Sequence, residues 1–182
     1  QLTNVPLIED VAAMLEILAD LGVSVSRRGS DVTLCAAGLR KRRLDRDLCR
    51  RVRSSILCAG PLLARHRQVT IFPPGADIIG RRRLDTHFLG LQALGARITG
   101  GERFTFRRAE LRGTDILLDE ASVTATENIL MAATLAAGVT TLDNAACEPH
   151  VQDLCVLLNR MGARITGIGA NRLQLEGVPA LH

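Results

Sequence analysis

Residues 151–176 read VQDLCVLLNRMGARITGIGANRLQLE, and their apolar period changes halfway along. Val151, Leu154, Leu158 and Met161 fall on one helical stripe. Gly162 follows, where a residue without a Cβ can take the left-handed conformation that closes a helix. Ala163-Arg164-Ile165 and Arg172-Leu173-Gln174-Leu175 then alternate as strands do, on either side of the turn Gly167-Ile168-Gly169. The stretch predicts helix, glycine, strand, turn, strand.

The same order occurs twice upstream. A helix from Leu7 to Leu21, with Leu7, Val11, Met14 and Leu18 at helical spacing, precedes Gly22 and the strands Val23-Ser24-Val25 and Val32-Thr33-Leu34. A helix from Asp85 to Leu94 precedes Gly95, Ala96-Arg97-Ile98, the turn at Gly100-Gly101 and Phe104-Thr105-Phe106. The second and third copies also carry an earlier half. Ser55 to Arg65 predicts a helix before the strand Val69-Thr70-Ile71, and Asn128 to Ala137 predicts another, closed by Gly138 before Thr140-Thr141-Leu142. Both are apolar on most faces, as expected of helices buried between neighbours. A unit of roughly 70 residues recurring three times, its first copy short, predicts a repeat-built α+β fold whose N-terminal segment is missing.

At 182 residues the chain is long enough for one substantial core or two small ones. Aromatic residues are 2% of it, with no Trp or Tyr, so the core must come from Leu, Ile, Val and Ala. Stacking on nucleobases is thereby excluded as a main theme. The net charge of +4 is almost wholly arginine, since Lys41 is the only lysine. Planar guanidinium forks suit carboxylate and phosphate oxygens, whereas the bland reading is a solvated surface and coding bias. The arginine-dense stretch Leu39 to Arg53 carries the same alternatives: a solvated helix face, or one or two arginines turned into an anion site. Nucleic-acid binding through residues 40–53 would give strongly salt-dependent affinity, and the expectation is that no nucleic acid is bound.

The five cysteines, Cys35, Cys49, Cys58, Cys147 and Cys155, form no CxxC pair and no zinc-ligand spacing with histidine, so no metal is expected. No basic-then-apolar leader opens the chain and no apolar run is long enough to span a bilayer, which leaves a reducing cytoplasm as the default and no membrane partner.

The most unusual run is residues 72–87, FPPGADIIGRRRLDTH. Pro and Gly mark a loop after the Val69–Ile71 strand, and three arginines precede Asp85, which is placed to cap the next helix. A lone loop carboxylate, Asp77, followed by arginines at a helix start suits a mobile proton donor beside a phosphorylated ligand. The alternative is a plain solvated loop.

This run resembles the loop and helix start of the UDP-N-acetylglucosamine enolpyruvyl transferases. Other segments agree in order: Asn4-Val5-Pro6 with Asp10-Val11; Arg53-Ser54-Ser55-Ile56 with Gly60-Pro61-Leu62-Leu63-Ala64-Arg65; and Leu118-Asp119 with Ser122 through Asn128. Asn144-Ala145-Ala146, Glu148-Pro149, Met161-Gly162-Ala163 and Glu176-Gly177-Val178 complete the match. The resemblance implies domains of three βαβαββ units around buried helices, an inside-out α/β barrel, with this chain one such domain over residues 1–182 whose first unit is incomplete. The second domain is expected to be absent, and with it catalytic competence of the chain alone.

The implied reaction transfers enolpyruvyl from phosphoenolpyruvate to the 3-hydroxyl of UDP-N-acetylglucosamine, the first committed step of peptidoglycan synthesis, and needs no metal or organic cofactor. Asp77 stands where most of the family has a reactive cysteine. Either side chain can donate a proton, but only the thiolate is a soft nucleophile, so resistance to the epoxide fosfomycin is expected. Arg53 and Arg82 match arginines that contact phosphoenolpyruvate and phosphate oxygens. Asp85 and His87 match a stretch around the uridine and diphosphate, with a structural histidine the alternative for His87. Ser122 and Val123 match diphosphate contacts at a helix start, with a simple cap the alternative for Ser122.

Departures from the pattern are Arg83 for the usual proline, Thr124 for a common glycine, Glu120 for a frequent lysine and His150 for a frequent glutamate. The family's N-terminal Lys-Asn pair has no counterpart. Two further readings follow: a non-catalytic UDP-sugar-binding remnant, and a paralogue acting on another nucleotide sugar.

Overall fold

The computed structural model describes residues 1–75 and 83–182. The chain divides into two compact units: residues 1–56, 69–75 and 100–105 in the first, residues 57–68, 83–99 and 106–182 in the second.

In the first unit, helix α1 (Glu9–Asp20) leads through Gly22 into the antiparallel hairpin of β1 (Ser24–Arg28) and β2 (Asp31–Cys35). Ala13 and Ile17 of α1 are buried, as their spacing along one face requires. Leu2 bridges Val32 of β2 in antiparallel register, extending the hairpin by a third chain segment. Helix α2 (Arg46–Arg51) packs on α1. Asp45 caps it, accepting from the backbone N–H groups of Asp47 and Leu48 at 2.8 and 3.1 Å. Arg51 in its last turn pairs with both Glu9 and Glu16 of α1.

A 3₁₀ turn, Arg53–Cys58, leads into α3 (Ala59–His66), followed by β3 (Gln68–Ile71). The helix expected from Ser55 thus begins with a tighter turn. Residue 43 bridges Thr70 in parallel, a strand contact that the arginine run concealed. Next come α4 (Asp85–Ala93), β4 (Arg97–Thr99) and β5 (Phe104–Arg107). The sheet order is β3-β5-β4.

The third copy lies wholly in the second unit: β6 (Asp115–Leu117), α5 (Val123–Ala133), β7 (Val139–Asp143), α6 (Pro149–Arg160), β8 (Arg164–Thr166) and β9 (Arg172–Glu176). Its sheet runs β6-β7-β9-β8, with β6 parallel to β7 and the other pairs antiparallel. The element order is βαβαββ. Helix α5 packs against α3, α4 and α6 and buries Ala125, Thr126, Asn128, Ile129, Leu130, Ala132 and Ala133. The helix expected over residues 128–137 therefore starts five residues earlier and stops sooner.

The glycines closing α1, α4 and α6, Gly22, Gly95 and Gly162, have φ of 99°, 100° and 97°. The repeat read from the sequence is thus a repeat of backbone conformation. The architecture is α+β, as expected. Among the described residues no helix is long and apolar enough to cross a membrane.

Candidate functional site

The site builds from the start of α5. Ser122 is its N-cap, with extended backbone and a side-chain oxygen 3.4 Å from the N–H of Ala125. The cap reading of Ser122 is therefore realised, and the other early N–H groups of α5 have no helical carbonyl to meet. Val123 is the first helical residue and is half-buried.

Behind this turn lies a chain of buried polar groups. The backbone N–H of Gly60 donates to Asn128 Oδ1 at 2.6 Å. A backbone N–H can only donate, so this contact fixes which end of the amide is oxygen. Asn128 Nδ2 then faces His87 Nδ1 at 3.1 Å and donates to it. The imidazole proton sits on Nε2, which lies 3.2 Å from Thr124 Oγ1. His87 is 1% exposed and Asn128 is fully buried, so these bonds form out of water, where an unpaired polar group costs most. The structural role of His87 is to hold Thr124, in the first turn of α5, against α4.

Gly60 is part of the device. A Cβ there would lie 2.2 Å from the backbone oxygen of Asn128, so only glycine lets α3 approach α5 this closely.

A second network joins the start of α4 to the loop before α5. Thr86 Oγ1 donates to Asp119 Oδ1 at 2.7 Å. Arg83 donates to Asp85 at 2.9 Å and pairs with Asp119 at 3.4 Å. Asp85 was expected to cap α4, but Leu84 occupies the N-cap position without a side-chain bond, and the carboxylate of Asp85 turns to Arg83 instead. That bond, with the attraction of Asp85, Asp119 and Glu120, pushes the Arg83 guanidinium above its ordinary range.

Asp85, His87, Ser122 and Val123 thus belong to the second unit, with His87 bonded to the α5 turn and Asp85 in the Arg83 network. Arg53 is half-buried at the start of the 3₁₀ turn in the first unit. Asp77 and Arg82 lie outside the described residues. Arg83, Thr86, Asp119 and Asn128 were not singled out as site residues beforehand. Their partners are 33 to 41 positions apart in three of the contacts, Thr86 with Asp119, Thr124 with His87 and Asn128 with His87, so no local pattern announces them.

The family model described as EPSP synthase (3-phosphoshikimate 1-carboxyvinyltransferase) matches residues 1–182. The chain belongs to the EPSP synthase family. Among curated members, the UDP-N-acetylglucosamine 1-carboxyvinyltransferase of Treponema pallidum is 59% identical over 182 residues, which is all of this chain and 43% of that protein. The Treponema denticola protein of the same name is 52% identical over the same span. The chain therefore spans less than half the length of these relatives. Among solved structures, the enolpyruvyl transferase NikO from Streptomyces tendae superimposes with a TM-score of 0.83 at 23% identity, covering 99% of this chain and 43% of that one. An EPSP synthase from Acinetobacter baumannii gives 0.70, also at 23% identity, over 95% of this chain and 40% of its own. These likenesses establish the EPSP synthase fold. No group of three or more His, Cys, Asp or Glu side chains able to hold a metal ion occurs among the described residues.

Proposed function

We propose that this chain supplies part of a carboxyvinyl transferase acting on UDP-N-acetylglucosamine and phosphoenolpyruvate in cytoplasmic peptidoglycan synthesis. Identity of 59% along the whole chain to a protein named for that sugar nucleotide supports the reading. The observation that carries it is the start of α5: first-turn N–H groups that meet no helical carbonyl, and the Ser122 cap, held by the buried His87 through Thr124. Such a turn attracts the oxygens of a diphosphate.

In the proposed reaction Asp77 gives a proton to the methylene carbon of phosphoenolpyruvate while the sugar 3-oxygen bonds to the adjacent carbon and loses its own proton to a base. The tetrahedral adduct then expels phosphate and loses a methyl proton, restoring the double bond. Arg53 and Arg82 neutralise the phosphate and carboxylate as charge moves between them. Ser122 and Val123 hold the diphosphate. Asp85 holds Arg83 at the start of α4, and His87 acts through Thr124.

Residues 1–182 form part of one catalytic domain on this reading, and the remaining groups come from the rest of the full-length protein. The isolated chain binds the sugar nucleotide and does not turn it over. Arg83, with its pairing to Asp85 and Asp119, favours a second reading in which another nucleotide sugar is the substrate. Calorimetric titration of the chain with UDP-N-acetylglucosamine, UDP-glucose and UDP tests both. Preference for the N-acetylated sugar is expected; tighter binding of a different sugar selects the second reading, and no binding of any of them removes both.

A further inference from the structure

The first unit holds a groove of about 310 Å³ that the proposed reaction does not use. Backbone alternation explains its lining. Residue 43 bridges Thr70, and Phe72 lies two residues further along, on the same face. The hydroxyls of Thr70 and Thr105 meet at 3.3 Å, which puts Arg103, two residues before Thr105, on that face as well. The Arg43 guanidinium stands 5.1 Å from the centre of the Phe72 ring and that of Arg46 stands 5.9 Å away. Both cations are thus held on one aromatic ring, so little freedom remains for a ligand to remove.

The charges do not balance. Lys41 on the rim is held by both carboxylate oxygens of Asp20, at 2.6 and 2.7 Å. Asp45 is occupied by the α2 cap: the Leu48 N–H holds its carboxyl below the usual range, with Asp47, Lys41 and Arg43 adding smaller contributions. Glu102 is the other acid in the lining. Arg43, Arg46 and Arg103 therefore converge on one groove against Asp45 and Glu102, and Asp45 is already engaged.

We propose that this groove binds a compact ligand bearing a diphosphate. Three guanidinium forks lining one groove, two of them on one ring, suit two linked anionic centres better than one. The volume is at the small end of ligand pockets, which begin at about 300 Å³. A nucleic acid fits less well, because the groove's aromatic ring is covered by two guanidinium groups and offers no base a stacking face.

The test is calorimetric titration of the chain with inorganic pyrophosphate at low and moderate salt. Four proteins are compared: the wild type, Arg43→Ala/Arg46→Ala, Arg103→Ala, and Arg160→Ala as an exposed arginine on α6. The changed side chains are exposed, and circular dichroism verifies that each variant folds. The double variant is expected to bind about tenfold or more weakly, Arg103→Ala about threefold to tenfold more weakly, and Arg160→Ala within about twofold of wild type. Failure of the wild type to bind, equal affinity in the double variant, or an equal loss in Arg160→Ala overturns the proposal. So does a single-stranded oligonucleotide that outcompetes pyrophosphate and depends on the same arginines. Titration of the double variant with UDP-N-acetylglucosamine reads the proposed function separately, since Arg43 and Arg46 have no part in it.

Discussion

Asn128 is chemically small and structurally central. Its amide oxygen takes the Gly60 N–H and its nitrogen serves His87, all away from solvent. Asn128→Ala strands both partners, and urea unfolding should show a loss of about 2–4 kcal/mol, since each orphaned buried group costs about 1–3 kcal/mol. Asn128→Asp should also be destabilising, because a second oxygen faces His87 Nδ1. An unchanged urea midpoint for the alanine variant would refute the hydrogen-bond assignment. Ser122→Ala removes a cap worth about 1 kcal/mol and should weaken UDP-sugar binding as well as stability.

Glu127, on the same helix, gives a pH signature. Burial pushes its carboxyl above the ordinary range, Glu148 adds to this and His150 opposes it. The folded chain therefore holds this proton to higher pH than the unfolded chain does. Stability from this group is complete below the unfolded value of about 4.3 and falls as pH rises through the folded value. Glu127→Gln should raise the melting temperature at neutral pH, with the gain shrinking in acid. A gain that grows in acid would contradict the assigned cause.

At the scale of elements, α5 owes its position to helices that leave no room for error. Its apolar residues cover most of its circumference, which the sequence displayed, and α3, α4 and α6 cover them in turn. Gly60 marks the closest approach. Gly60→Ala pushes a methyl group against the Asn128 carbonyl, and either loss of folding or a large drop in melting temperature is expected. Strand β6 was not legible, because no helix stripe closed by glycine precedes it to mark the change of period, as one does before the equally short β4 and β8; its parallel pairing with β7 makes it a strand. The bridge at residue 43 was hidden for a related reason. A single exposed arginine at a strand edge looks the same as one on a solvated helix.

For the whole protein, the proposed reaction turns on Asp77. If the proposed transferase reading holds, activity of the full-length protein should persist after incubation with fosfomycin, and Asp77→Cys should create time-dependent inactivation with a covalent adduct on the new thiol. Asp77→Asn should lower kcat by two to four orders of magnitude, about the usual contribution of a general acid, with a smaller effect on KM. Inactivation of the wild type by fosfomycin through an adduct on Asp77 would overturn the account of this loop.

Local chemistry sufficed for the repeated helix–glycine–strand units, because a helix stripe, a left-handed glycine and strand alternation are all written within a dozen neighbours. Residues 151–176 hold all three, and the structure follows them closely. The cap role of Ser122 was only the alternative to a diphosphate contact that the resemblance implied, because the helix read from local pattern began at Asn128. What only the tertiary structure decided is which polar groups meet. Gly60, His87, Thr124 and Asn128 come from three helices, and Thr86 with Asp119 from a helix and a distant loop. Such contacts exist only after apolar faces have packed, and packing is a property of the whole chain.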